Sequence, residues 1–583
     1  MVRFYASVLT ALLLGGVGDA REIRFNRDIR PILADNCVAC HGADEATREA
    51  GLQLDDPESA LANRDGVRAV VPGDPGSSEM LRRIFSADPE MVMPPPSHPV
   101  QLKAEEKEIL RAWIEQGAEF EGHWAFQRVE RPDVGSGSSG AEAIDFFIDR
   151  RRKESGLESE SPADREVLLR RLSLDLIGLP PSDEERRRFL GDDGPEAYEA
   201  AVDRLLASKH FGERMAMWWL DGARYADTHG FQADWERYQW PWRDWVIRAF
   251  NDNMPFDQFT VEQVAGDMLP GARPDQIVAT GFNRNHRINT EGGALDEEWL
   301  IENVMDRVET VGSVWLGLTL GCARCHDHKY DPLSQREFYQ MFALFHNVAE
   351  QGKGPGRQGN FEPVIKLADD DDLRRRKELV AEIPRLERDL LKWLPKGVEG
   401  LVKQPLEKRN GNGDNRLRKA IVDLKQPDAQ GLRDEVLALR KEYKELVAKT
   451  PSVMVMREMA EPRKTYILER GEYTNPTEEV QAGLPAFLPA LPEGQQMDRL
   501  GFARWLVSRE HPLTARVQVN RLWELVFGTG LVEASENLGV QTDWPSHPEL
   551  LDWLAADFME SGWDVKRFMK MMVMTRAYRQ DSR

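Results

Sequence analysis

Apolar residues recur at helical spacing along most of this chain, and that pattern predicts its fold. Apolar series at 25–37 and 102–114 predict two helices near the N-terminus, and the second ends at Gly117. A leucine-rich series at 168–176 stops at the turn beginning with Gly178. The same spacing predicts further helices at 184–190, 196–207 and 212–225. We therefore expect a mainly α, multidomain protein.

The second half of the chain keeps this spacing with two interruptions. Apolar series at 373–391 and 432–446 flank a polar, glycine-bearing segment, which predicts an antiparallel helical hairpin or coiled coil with charged outer faces. Residues 453–470 alternate between apolar and polar, and this predicts a pair of strands. Helical spacing returns at 499–583, where five tryptophans are expected in the core.

A chain of 583 residues is too long for a single core, so several domains are expected. Glycine and serine at 134–140 indicate a flexible linker, which would let the first domain move relative to the second. The predicted segments are a signal peptide at 1–20, a small helical domain at 21–126, a linker at 127–142, a helical domain at 143–350, a helical hairpin at 366–450, a β/loop connector at 451–495 and a C-terminal helical domain at 496–583.

The first residues have the pattern of a secretory signal. Arg3 supplies a positive charge, 8–17 form a short apolar core, and small residues follow at 18–20. An uncleaved anchor is the alternative interpretation. No later segment approaches ~18 consecutive apolar residues, so no membrane span is expected after signal removal. The prediction is an exported protein of the periplasm or cell envelope.

The net charge of the chain indicates which classes of macromolecule it binds. It is −22 with a pI of about 5.1, which argues against a nucleic-acid-binding protein. An acidic surface would suit a basic redox partner protein.

All four cysteines fall in two C-x-x-C-H motifs, Cys37-Val38-Ala39-Cys40-His41 and Cys322-Ala323-Arg324-Cys325-His326. Two thiols three positions apart on a helical turn point the same way, so both can add to the vinyl groups of one porphyrin. The adjacent histidine then lies under the iron as its proximal ligand. Cysteines of exported proteins otherwise pair as disulfides. The histidine after each pair favours haem c.

The distal ligand expected for the first motif is Met93. Three prolines follow it and hold the chain extended, so its thioether can be fixed toward the iron. Ordinary core packing is the alternative role for this methionine. Met91 and Met80 are the next candidates, and His98 is expected to be exposed. The order of helix, motif, loops, methionine and closing helix is that of a small class I cytochrome c domain.

The second motif has three interpretations. It binds a second haem c with His326 as proximal ligand, or it forms a zinc or iron site from Cys322, Cys325, His326 and His328, or its cysteines carry no metal. A second haem is favoured. The candidates for its distal ligand are His229, His286, His328 and His346. If the sixth coordination position of the iron is open, small molecules can react there. A protein ligand in that position would favour electron transfer instead.

Two further stretches are candidate walls of a site. The aromatic residues of 218–245 suit a haem pocket or a platform for sugar rings, although a helical core explains them slightly better. Asp227 is placed to orient His229. The polar, glycine-punctuated segment 283–293 is a second candidate wall, and turn chemistry also explains it.

The sequence resembles the planctomycete-type cytochrome c domain in the phrases FNRDIRPILADNCVACHG, MPPP and WIEQGAEFEGHWAF. Later phrases such as GFNRNHRINTEGGALDEE and ARWLVSREHPLTARVQVNRLWELVFGTGLVE resemble the two domains of unknown function that commonly follow it. The resemblance implies haem binding and electron transfer in an exported protein. It brings no established reaction for the two later domains. It also implies that the last of them is either a short copy or incomplete.

Together these observations predict an exported c-type cytochrome with two haem sites that exchanges electrons with a partner protein. Electron transfer is favoured over a defined catalytic activity. One alternative is a haem-linked oxidoreductase that acts on carbohydrate or a similar substrate. The other is a non-redox scaffold with a structural metal or disulfide at the second motif.

Overall fold

The computed structural model describes residues 21–135, 140–354, 359–406, 409 and 411–582. Contacts divide the chain into two compact units. Unit 1 comprises the chain up to Gln127 together with Lys329–Pro332 and Gly539–Trp544, and unit 2 comprises the rest. The predicted signal peptide and the Gly/Ser residues 136–139 of the predicted linker lie outside the described residues.

The described residues contain 24 α-helices, about 53% of the chain is helical, and the strands form only small sheets. The predicted mainly α class is therefore confirmed. None of the described helices combines the length and the apolar character needed to cross a membrane.

Unit 1 is built around one apolar core that α1 and α5 enclose. Trp113 of α5 is 1% exposed, and its ring lies 5.6 Å from that of Phe25 and 5.1 Å from that of Phe120. Tyr330 also packs against this core. The helices are α1 (Arg30–Asn36), α2 (Val38–His41), α3 (Pro57–Leu61), α4 (Glu79–Ile84) and α5 (Ala104–Glu115), and the strands are β1 (Asn63–Arg64) and β2 (Val67–Arg68). Both helices predicted from the apolar series are confirmed.

Ten helices form the first part of unit 2. They are α6 (Ala141–Glu154), α7 (Arg165–Ile177), α8 (Asp183–Leu190), α9 (Ala197–Leu206), α10 (Lys209–Gly222), α11 (Trp240–Asn251), α12 (Phe256–Ala265), α13 (Pro274–Ala279), α14 (Asp296–Val311) and α15 (Gln335–His346). The three helices predicted at 184–190, 196–207 and 212–225 are confirmed as α8 to α10. Gly178 ends α7 with φ of 69°, the left-handed conformation that favours glycine.

The predicted helical hairpin is present with one addition. Lys449 at the end of α19 pairs with Asp372 at the start of α16 at 3.9 Å, so these two helices run antiparallel. The polar segment between them folds into two further helices, whose Leu417 and Val402 join the hairpin core. The four helices are α16 (Asp370–Leu390), α17 (Glu399–Lys403), α18 (Gly411–Val422) and α19 (Gln430–Lys449).

The prediction of a strand pair within 453–470 is wrong about the partners. The strands of unit 2 are β3 (Val364–Lys366), β4 (Ser452–Met454), β5 (Thr465–Leu468) and β6 (Pro476–Val480). β4 pairs with β3 and β5 pairs with β6, both antiparallel. Alternation identifies a strand but says nothing about its partner, and β6 is exposed at four of its five residues, so it carries no apolar signal.

The C-terminal part of unit 2 is helical, as predicted. Its helices are α20 (Arg499–Leu506), α21 (Thr514–Phe527), α22 (Pro548–Glu560), α23 (Val565–Val573) and α24 (Arg576–Arg579). Trp505, Trp523, Trp553 and Trp563 are buried, as expected. Trp544 is only partly buried and belongs to unit 1, where its ring lies 6.3 Å from Trp124.

Candidate functional site

The first C-x-x-C-H motif lies at the kink between α1 and α2. Cys37 has φ of −127°, which ends α1 and redirects the chain into the single turn of α2. The backbone amides of Cys40 and His41 both donate to the carbonyl of Cys37, at 3.1 and 2.8 Å. One turn therefore carries both thiols and the imidazole, as the spacing predicts.

The two thiols of this motif have different environments. Cys37 is partly buried and packs against the core of unit 1, and burial raises its pKa to about 12. Cys40 is exposed. His41 is partly buried, and its Nδ1 has no hydrogen-bond partner among the described residues. Burial also lowers the pKa of His41, which favours the neutral imidazole that binds iron.

Met93 is partly buried beyond the end of α4. Its backbone amide donates to the carbonyl of Arg83 at 3.3 Å, which anchors the segment before the prolines. Met80 is a member of the core, and Met91 is partly buried like Met93. His98 is also partly buried, and its Nδ1 bonds the carbonyl of Val100 at 2.7 Å. Met93 stays the predicted distal ligand.

These residues suit a covalently bound haem. Both thiols are free, burial of His41 favours its neutral imidazole, and the apolar core begins directly at Cys37. A porphyrin needs two thioether anchors, a neutral axial nitrogen and an apolar environment, and unit 1 supplies all three.

The second motif begins on a short helical turn, Leu320–Arg324, which contains Cys322, and Cys325 and His326 follow its end. Cys322, Cys325 and His326 are all exposed. Nδ1 of His326 donates to the carbonyl of Asp327 at 2.6 Å. A carbonyl that holds Nδ1–H fixes the tautomer and leaves Nε2 as the nitrogen available to a metal.

Three elements hold the second motif in place. The carbonyl of Arg324 accepts hydrogen bonds from Gln335 and Tyr339 of α15, at 3.0 and 3.1 Å. The Arg324 guanidinium pairs with Glu302 of α14. Gly471 has φ of 72°, and a Cβ there would lie 3.1 Å from Cys325 Sγ. A side chain at 471 would therefore crowd the thiol as well as strain the backbone.

The geometry gives no support to a zinc or iron site at the second motif, whereas a reduced pair without metal fits it as well as haem attachment does. His328 is buried, whereas Cys322, Cys325 and His326 are exposed. Within the described part of the chain, no three His, Cys, Asp or Glu side chains are grouped so as to hold a metal ion. The four cysteines are free, so neither motif forms a disulfide here.

The histidines proposed as distal ligands are not grouped with His326 in the described residues. His286 uses both ring nitrogens, because Nδ1 donates to the carbonyl of Arg287 at 2.9 Å and Nε2 lies 3.1 Å from Arg307 Nη2. Nδ1 of His346 lies 3.0 Å from the hydroxyl of Thr465. An iron at either residue would have to replace a hydrogen bond. His229 is fully buried, and its Nδ1 has no partner among the described residues.

Two expectations about the aromatic stretch are corrected. Asp227 does not orient His229, because Nδ1 of His229 has no partner among the described residues and Nε2 lies 3.4 Å from the carbonyl of Gly359. The Asp227 carboxylate accepts the hydroxyl of Tyr225 at 2.6 Å instead. The stretch does not form one continuous platform either. Its rings divide into a buried set, Trp219, Trp242 and Trp245, and an exposed set, Trp235, Tyr238 and Trp240.

In the haem-free chain we expect three thiols to react quickly with a disulfide reagent and Cys37 to react slowly. A thiol with a pKa of about 12 has far less thiolate than one with the ordinary value. Allowing for the higher nucleophilicity of a more basic thiolate, the difference in rate is about fifty-fold. Stopped-flow labelling measures it, and denatured chain should show four fast thiols. Four equal rates in the native chain would contradict the burial of Cys37.

Three family models match the chain. Residues 37–97 match Planctomycete cytochrome C, residues 143–350 match a protein of unknown function (DUF1549), and residues 498–583 match a protein of unknown function (DUF1553). No curated protein and no solved structure matches the chain.

Proposed function

We propose that this protein functions in electron transfer. It carries a planctomycete cytochrome c region, followed in order by the DUF1549 and DUF1553 regions. The protein binds haem c covalently at both C-x-x-C-H motifs. It works after export from the cytoplasm and exchanges electrons with a partner protein.

The observation that carries this proposal is the shared design of the two motifs. Each presents two free thiols followed directly by a histidine, and together they use every cysteine in the chain. At the second motif Nδ1 of His326 donates to the carbonyl of Asp327, so Nε2 is the nitrogen available to a metal. This supports a ligand role for His326, since a disulfide would need no oriented imidazole.

The residues of the chain would bind and position each haem. Bound haem supplies one-electron exchange at its iron. Cys37 and Cys40 would hold the first haem through thioether bonds, with His41 and Met93 on its two faces. Cys322 and Cys325 would hold the second haem, with His326 on its proximal face. The acidic surface, net charge −22, would draw a basic redox partner into contact.

The covalent haem count tests the proposal. The full chain is expressed in a periplasm with cytochrome c maturation, and intact mass is combined with a pyridine haemochrome spectrum. We expect two haems per chain. One haem would overturn the assignment of one motif, and none would overturn the proposed function.

Replacement of Met93 should lower the reduction potential of the first haem. A thioether ligand raises the potential of a haem iron, so Met93→His is expected to lower it by on the order of 0.1 V. Redox titration in a Cys322→Ala/Cys325→Ala background isolates the first haem. Met91→Ala is the matched control, because Met91 is two residues away and equally partly buried. An unchanged potential in Met93→His would exclude Met93 as the axial ligand.

A further inference from the structure

Unit 2 contains a buried ionic cluster centred on Glu350. Its carboxylate accepts two hydrogen bonds from the Arg307 guanidinium, at 2.5 and 2.7 Å, and Arg284 Nε lies 3.4 Å away. All three side chains are at most 3% exposed. One carboxylate therefore stands against two buried guanidinium groups, which leaves the cluster with an excess positive charge.

One more arginine increases this excess. Arg463 donates to the carbonyl of Glu350 at 3.1 Å and forms no ion pair with a described carboxylate. Three cations thus face one buried carboxylate inside a protein whose net charge is −22. Burial lowers the pKa of Arg284 to about 10, as expected for a buried cation with too little counter-charge.

A cavity of about 400 Å³ opens onto this cluster. Arg284, His286 and Glu350 line it, Phe361 and Ile288 give it an apolar wall, and Lys353 lines it too. Glu362, the other carboxylate of the lining, is exposed. His286 adds no charge, because Nε2 faces the Arg307 guanidinium and burial holds its pKa well below the usual range. The segment 283–293, considered above as a site wall, supplies three of these residues.

We propose that this cavity binds a small organic carboxylate. The carboxylate lies beside Arg284 and Lys353 and balances the excess positive charge of the cluster, and the rest of the molecule packs against Phe361 and Ile288. At ~30 Å³ for each water-sized group, the cavity has room for about a dozen non-hydrogen atoms. That exceeds an inorganic anion, and the apolar wall would leave part of such an anion without partners. None of the residues that line the cavity belongs to either C-x-x-C-H motif, and the proposal does not depend on the proposed electron transfer.

Thermal unfolding of the full haem-loaded chain tests the proposal with matched pairs of probes. The pairs are benzoate with benzamide, and glucuronate with glucose, at equal ionic strength. Benzoate or glucuronate at millimolar concentration should raise the unfolding midpoint by about 2 °C or more, and the neutral partner should not. Equal shifts within both pairs would overturn the proposal. So would a shift by inorganic phosphate as large as that by any carboxylate.

Variants locate the site within the chain. Lys353→Met should weaken carboxylate binding at least fivefold in isothermal titration, and Arg284→Met should abolish it. Lys441→Met, which removes a charge that is 77% exposed on α19, should leave binding unchanged. If Arg284→Met fails to fold, Lys353→Met still decides the question. Wild-type affinity in Lys353→Met would place the carboxylate elsewhere and overturn the proposal.

Discussion

Replacing Cys37 and Cys40 together by alanine is expected to reduce the covalent haem content from two per chain to one. Replacing Cys322 and Cys325 should have the same effect, and the chain without cysteines should carry none. The reason is chemical, because the thioether bonds of haem c form only at cysteine sulfur and these four residues are the only cysteines. Halving of the haem content is the largest change expected from any pair of substitutions considered for this protein.

Intact mass assigns each haem, and each double variant is the control for the other. Cys37→Ala/Cys40→Ala should keep the haem at 322–326, so its haemochrome absorbance per chain should fall by half. Digestion with trypsin and mass analysis then show which peptide carries the group. A variant that loses both haems would show that one site depends on the other. A variant that keeps both would exclude covalent attachment at the motif that was changed.

The sequence alone predicted those elements whose signal is local. The helical spacing places α8, α9 and α10 close to their observed bounds, because each buries one face against its neighbours. Strand pairing was not predictable in the same way, since β4 finds its partner β3 some 90 residues earlier in the chain. The β6 strand, Pro476–Val480, has no apolar alternation from which to infer its partner.

The candidate sites, too, were predictable from the sequence only in part. Both C-x-x-C-H motifs were predictable because their chemistry depends on residues that are adjacent in the sequence. The sequence could not predict that Cys37 is partly buried while Cys322 is exposed. The burial of Cys37 follows from how α1 and α5 enclose the core. No pattern in the sequence predicted the ion pair between Arg307 and Glu350 either. It joins α14 to a loop beyond α15, and neither residue stands in a recognisable motif.

The Glu350 cluster gives the largest expected loss of stability. Glu350→Gln removes the carboxylate that pairs with Arg307 and Arg284 and leaves both guanidinium groups buried without that counter-charge. Breaking a buried ion pair by removing one partner costs about 3–5 kcal/mol in the free energy of unfolding. We expect a loss of this size in the urea-induced transition of unit 2, followed by tryptophan fluorescence.

An exposed pair provides the control for this prediction. Arg336 and Glu478 lie 2.5 Å apart, the same separation as the closest contact of Arg307 and Glu350, but their side chains are 48% and 62% exposed. Glu478→Gln should leave the transition unchanged, because exposed ion pairs contribute little. The double replacement Arg307→Met/Glu350→Met should be less destabilised than Glu350→Gln, since it removes a cation along with the carboxylate and leaves no part of the pair unmatched. If Glu350→Gln costs no more than Glu478→Gln, the excess positive charge of the cluster is balanced by another group and the account of the cluster is wrong.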